Sequence, residues 1–145
     1  MSETPRRILV VDDESHITGV LAHKLRNAGF EVDTAADGEE ALAVAREHPP
    51  SLVITDLQMP YLTGLELCER LKSGSATAGV PAIMLTARGH ALSENDLART
   101  NIRLVLSKPF SPRQVLEHVN GILGGSASAA PGSVEQSRQR RAEAA

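Results

Sequence analysis

Five short aliphatic runs, separated by stretches of helical periodicity, constrain this chain more than any other feature. They are RILVV (Arg7–Val11), FEVDTA (Phe30–Ala35), LVIT (Leu52–Thr55), AIML (Ala82–Leu85) and LVL (Leu104–Leu106). Four are almost continuously apolar, as strands covered on both faces are, whereas FEVDTA alternates with period two, as an edge strand with one wetter face does. Between them, Ile17, Val20, Leu21, Leu25 and Ala28 fall on one helical stripe, with Gly29 as its stop. Ala41, Val44 and Ala45 make a second stripe, Leu65, Cys68 and Leu71 a third, and Val115, Val119, Ile122 and Leu123 the last. Strands alternating with helices imply right-handed β-α-β crossovers, hence an α/β fold: a doubly wound, five-stranded parallel sheet with helices on both faces.

The helix starts are marked as well. Ser111, Pro112 and Gln114 form a capped entrance to the last helix, and Thr63 with Glu66 has the capping-box form, of which Asp37 with Glu40 is a weaker relative. Ser93–Thr100 is capped by Ser93 but poor in apolar residues, and is expected to be the most loosely held element. The periodic part spans residues 6–123. Residues 124–145 open with GGSASAAPGS and then carry Arg138, Arg140 and Arg141 against Glu135 and Glu143. Small and polar, they read as a flexible low-complexity tail.

Composition narrows the function classes. The net charge of −3, with no long basic run in the periodic part, argues against direct nucleic-acid binding. The single cysteine, Cys68, rules out an intrachain disulfide and reads as a small buried apolar residue. No apolar run approaches a membrane span of roughly 18 residues, and the N-terminus lacks a signal-peptide pattern, so the expectation is a soluble, cytoplasmic protein with no membrane contact. The five histidines show no ligand spacing and read as surface or helix-face residues.

The strand ends carry the chemistry. The first run ends in Asp12-Asp13-Glu14, the third in Asp56, the fourth in Thr86, and the fifth is followed within two residues by Lys108. In a parallel sheet all of these gather at one edge, where open α/β sheets bind ligands. Clustered carboxylates raise each other's pKa unless a cation compensates, and one lysine is insufficient for three. Oxygen-only donors favour Mg²⁺ or Mn²⁺ over zinc. A hydroxyl and an ammonium beside such an ion are placed to hold phosphoryl oxygens, and an aspartate attacking phosphorus gives an aspartyl phosphate.

ILVVDDES, DLQMPYLTGLEL, MLTAR and LSKPFSP, in that order, resemble the receiver domain of bacterial two-component response regulators over about residues 6–123. The likeness includes the spacing D-x-x-M-P-x-x-x-G from Asp56 to Gly64. It implies a flavodoxin-like strand order 2-1-3-4-5, with Asp56 as phosphoacceptor. Mg²⁺ would be held by Asp12, Asp13, Asp56 and the backbone carbonyl of Gln58. Thr86 would be the switch hydroxyl, and Lys108 the phosphoryl-sensing lysine before a cis Pro109. The implied partner is a sensor histidine kinase or histidine phosphotransfer protein. The implied role is a stand-alone, chemotaxis-receiver-like signalling module rather than an enzyme, catalysing only its own phosphoryl transfer and dephosphorylation. Gln58 and Arg88 occupy the variable positions two beyond Asp56 and Thr86, which can guard or admit a hydrolytic water.

One position departs from the family pattern. Val105 stands where such domains usually carry an aromatic, so output would rest on backbone shifts or on order in the Ser93–Thr100 helix. Val105 is also the one feature that favours a phosphorylation-independent docking module, against which the full acidic set argues. An aspartate-nucleophile phosphatase of the haloacid-dehalogenase type would need a D-x-D-x-[TV] signature, whereas Asp12 and Asp13 are adjacent.

Overall fold

The computed structural model describes residues 6–87 and 92–124. Arg88 and, beyond Gly124, the tail read from the sequence lie outside the described residues. Strand β1 (Arg7–Val11) leads through α1 (Ser15–Asn27) to β2 (Glu31–Ala35), and α2 (Gly38–Glu47) returns the chain to β3 (Leu52–Asp56). Then follow α3 (Gly64–Ser73), β4 (Ala82–Thr86), α4 (Glu94–Ala98) and β5 (Ile102–Ser107). The strands form one sheet in the order β2-β1-β3-β4-β5, every pairing parallel. Contacts divide the chain into two units, with the boundary between Pro112 and Arg113. From that boundary α5 (Pro112–Val119) runs on into a π-helical turn at Asn120–Gly124, with Val115, Val119 and Leu123 buried. The last periodic stretch is thus less regular than its stripe suggests, as Asn120 and Gly121 are poor helix formers.

Alternation along the strands sorts the core into two layers. Leu9, Val11, Val53 and Met84 face one side, joining Ala41 and Ala45 of α2 and Leu67, Cys68 and Leu71 of α3 in one buried cluster. Ile8, Val10, Leu52, Ile54, Ile83 and Leu85, all without exposure, alternate with them toward the other side. There α1 lies against β1 and β2. Each of these full-length side chains adds roughly 1.5–3 kcal/mol by its burial.

Two expectations are corrected. On α1 the buried row is Thr18, Leu21, Ala22 and Leu25, while Val20 is 39% exposed and Ala28 is exposed. The buried four have the i, i+3, i+4, i+7 spacing, and Val20 sits about 100° round the helix from Leu21. Small residues such as Thr18 and Ala22 are buried because they fit beneath the helix, and apolar periodicity does not register that. The LVL run was expected to be covered on both faces, yet Leu104, Val105 and Leu106 are only half-buried, because β5 is the second edge of the sheet.

The caps read at Gly29, Asp37, Thr63 and Ser93 form. Gly29, at φ 103°, ends α1: its N–H donates to the Arg26 carbonyl at 3.0 Å and that of Phe30 to Leu25 at 3.2 Å, the two bonds of a Schellman motif. Thr63 and Glu66 close a complete capping box on α3, and Asp37 accepts from the Glu40 N–H at 2.8 Å. Helix α4 is capped reciprocally by Ser93 and Asp96 but buries none of its residues. Arg99 at its C-terminal end ties it to Glu69 of α3 by an ion pair and also pairs within the helix with Asp96.

Candidate functional site

β1 and β3 are neighbours, so their carboxyl ends deliver acidic side chains to the same place. Asp56 closes β3 and is 6% exposed; Asp12, the first residue after β1, is 1% exposed, and Asp13 is exposed. Carboxylate oxygens of these three lie within 4.8 Å of one another. The backbone fixes them firmly. The Asp12 N–H donates to the Ala35 carbonyl at 3.2 Å, and beyond Asp56 the Leu57 N–H continues the ladder to Leu85 at 2.8 Å.

Lys108 reaches the cluster from the end of β5. Its own N–H donates to the Thr86 carbonyl at 2.7 Å, which sets the start of the side chain. Its Nζ then lies 3.2 Å from Asp56 Oδ1, 3.3 Å from Asp12 Oδ2 and 3.8 Å from Glu14 Oε1. The peptide bond between Lys108 and Pro109 is cis, in keeping with the expectation. Glu14 was grouped with the acidic run but not read as a partner of this lysine; only the turn into α1 brings it within reach.

The electrostatic balance is unfavourable to the carboxylates. Burial, chiefly, holds Asp12 above the ordinary carboxylate range; the Glu14 N–H, donating at 2.9 Å, and Lys108 oppose this, and Asp13 adds to it. Asp56 is also raised, first by burial and then by the charge of Asp12, against the pull of Lys108. Burial alone would lower Lys108, but Asp12 and Asp56 outweigh it and hold the ammonium above its usual value. One cation thus serves two buried carboxylates and leaves both short of compensation. The donors are all carboxylate oxygens, which favours a hard divalent cation over zinc or copper.

The other candidates stand around this centre. Thr86 has no exposure, and its hydroxyl donates to the Ala87 carbonyl at 2.7 Å, turned to its own backbone rather than to a carboxylate. Gln58 is exposed in the loop after Asp56. That loop is closely held. The Gly64 N–H donates to the Leu57 carbonyl at 2.9 Å, Met59 and Leu62 are buried, and a Cβ on Gly64 would collide with the Asp56 carbonyl oxygen. Glycine is required there by close approach. Tyr61 is 82% exposed. Val105 pairs with Met84 across the β4–β5 ladder and packs on the same core.

A groove of about 510 Å³ also opens beside Lys108, between Ile17 and Val20 of α1 and Pro109 and Phe110. The helical stripe assigned Ile17 and Val20 to the core, so the sequence offered no sign of it.

Comparison with known proteins agrees with this architecture. Residues 8–120 match the family model described as the response regulator receiver domain. The alkaline phosphatase synthesis transcriptional regulatory protein PhoP of Bacillus subtilis is 39% identical over 128 residues, which is 88% of this chain and 52% of that protein. The chain therefore spans about half the length of the curated relatives it matches. Chemotaxis protein CheY4 of Vibrio cholerae superposes with a TM-score of 0.76 at 33% identity, over 83% of this chain and all of that one. The receiver domain of a sensor histidine kinase from Pseudomonas aeruginosa, whose structure holds a magnesium ion in its active-site cleft, shares the fold at a TM-score of 0.73 and 24% identity, over 83% of this chain and 99% of that one.

Proposed function

The chain belongs to the response regulator receiver domain family of two-component signalling, and from that premise we propose that Asp56 is its phosphoacceptor. In this reading a carboxylate oxygen of Asp56 attacks the phosphorus of a phosphohistidine. The P–N bond breaks, the imidazole leaves, and an aspartyl phosphate forms. The donor is a sensor histidine kinase or a histidine phosphotransfer protein, and the reaction takes place in the cytoplasm. Asp12, Asp13, Asp56 and the Gln58 carbonyl would hold Mg²⁺, which when bound supplies positive charge to the transferring group. Lys108 would pair with a phosphoryl oxygen, exchanging carboxylate for phosphate contacts. Thr86 would break its bond to Ala87 to donate to another oxygen, and this change at β4 would be the start of the switch. Output would pass through the β4–β5 backbone and α4, with Val105 providing no aromatic swing.

One observation above all supports this reading: two buried carboxylates from adjacent strands share a single lysine and meet a third acid within 4.8 Å. A fold gains no stability from that crowding; a site for a cation and a phosphoryl group does. The test is incubation with a small acyl phosphate and Mg²⁺, read by intact mass. One phosphoryl group is expected on the wild type and none on Asp56→Asn. Absence of an adduct on the wild type would refute the reading.

A further inference from the structure

The loop between β3 and α3 contains a residue that neither backbone nor packing accounts for. Tyr61 has φ 71°, and the Leu62 N–H donates across it to the Pro60 carbonyl at 2.8 Å. That is the positive-φ form of the γ-turn, which is rare and strained for any residue with a side chain. The turn arises because the chain must reverse between two anchors. Met59 and Leu62 are both buried, and a Cβ on Gly38 would lie 2.7 Å from that of Leu62, so the second anchor is tightly seated against the start of α2. Glycine would satisfy this geometry without strain. Instead the position carries the only tyrosine in the chain, 82% exposed, in the same loop as the carboxylate that reacts.

Strain on the backbone is thus combined with exposure of a large apolar ring, and the fold benefits from neither. We infer that Tyr61 is a recognition residue for the protein phosphodonor, held outward at the rim of the site so that its ring is covered when a phosphohistidine approaches Asp56. Tyrosine suits this task, since it covers much area with few rotamers and is frequent among interface residues that dominate affinity. The loop's two buried anchors preorganise the ring and so lower the ordering cost of docking. The inference rests on the phosphoacceptor reading, and it assigns donor selection, not chemistry, to Tyr61.

The experiment compares wild type, Tyr61→Gly and Tyr61→Phe with two donors. One is a small acyl phosphate. The other is the autophosphorylated sensor kinase, from a purified panel, that phosphorylates the wild type fastest. With the acyl phosphate all three should react within about twofold, since no protein surface is engaged. With the kinase, Tyr61→Gly should lose roughly tenfold or more in kcat/KM, mainly through KM, as expected for truncating an interface anchor. Tyr61→Phe should keep most of the rate. Tyr61→Gly should also melt no lower than wild type, which excludes a folding defect. Equal kinase rates for wild type and Tyr61→Gly would overturn the inference while leaving the phosphoacceptor reading intact. So would a chain that takes phosphate from the acyl donor but from no kinase in the panel. No adduct from either donor would instead refute the phosphoacceptor reading itself.

Discussion

Asp56→Asn should make the magnesium-free protein more stable, although it removes one of the two buried carboxylates paired with Lys108. Asp56 lies within 4.8 Å of an Asp12 oxygen and 3.2 Å from the Lys108 ammonium. At an effective dielectric of about 20, the repulsion comes to roughly 3.5 kcal/mol and the attraction to roughly 5 kcal/mol. Lys108 is shared with Asp12 and Glu14, and Asp13 adds a further, more screened repulsion. The pair terms therefore nearly cancel, and the burial of the Asp56 charge is left uncompensated, which is why its pKa is raised. Asparagine keeps the shape and removes the charge, for an expected gain of about 1–2 kcal/mol, or roughly 4–8 °C in Tm for a domain of this size. The pH dependence has a definite sign. Because Asp12 and Asp56 are both raised on folding, their contribution is most favourable below the ordinary carboxylate pKa. It is lost as pH climbs through the raised values, and the loss should be shallower in the variant. Magnesium should reverse the ranking. An ion at about a hundred times its Kd adds roughly 2.7 kcal/mol to the wild type, and should add far less to a variant missing one ligand. Thermal unfolding in EDTA and in excess Mg²⁺, at pH values from 5 to 8, reads all of this. An Asp56→Asn variant that is no more stable than wild type in EDTA, or that gains as much from Mg²⁺, would refute the balance described.

Other outcomes follow from the same geometry. Gly64→Ala should cost about 2–3 kcal/mol in chemical denaturation and weaken Mg²⁺ binding, because its methyl group meets the Asp56 carbonyl and approaches Leu57 Cα and Met84 Sδ, each at 3.0 Å. Leu67→Ala, by emptying a fully buried position of α3, should lose about 2–5 kcal/mol while leaving Mg²⁺ affinity unchanged. Cys68, buried and with its thiol pushed up to about 12 mainly by that burial, should resist an aromatic disulfide reagent at pH 8 until the protein unfolds; prompt labelling of the folded chain would contradict its placement. Arg99→Ala should speed amide exchange in α4 a few-fold and leave the central strands unchanged, since α4 buries no residue and the Arg99 pairs are surface contacts.

Much of this protein is legible without coordinates because local rules carry it. The run-and-stripe alternation entails parallel strands, and parallel strands bring Asp12, Asp56, Thr86 and Lys108 to one edge wherever each strand sits in the order. The caps at Asp37, Thr63 and Ser93 are contacts over three residues, so their spacing nearly determines them. What depends on distant partners is not written in any one segment. That β5 is an edge, half-buried rather than covered, follows from which strands pair. That Asp12 is buried while its neighbour Asp13 is exposed follows from how the end of β1 sits beside β2 and β3. Val20 turned outward because the packing of α1 chose Thr18 and Ala22 instead, and packing depends on shape where the pattern records only polarity. Lys108 found Glu14 across most of the chain's length, and Tyr61 was forced to positive φ by the buried anchors Met59 and Leu62 on either side of it. Sequence determines what each segment prefers. Only the closed fold decides where those preferences conflict, and here they conflict most in the acidic pocket and the loop that borders it.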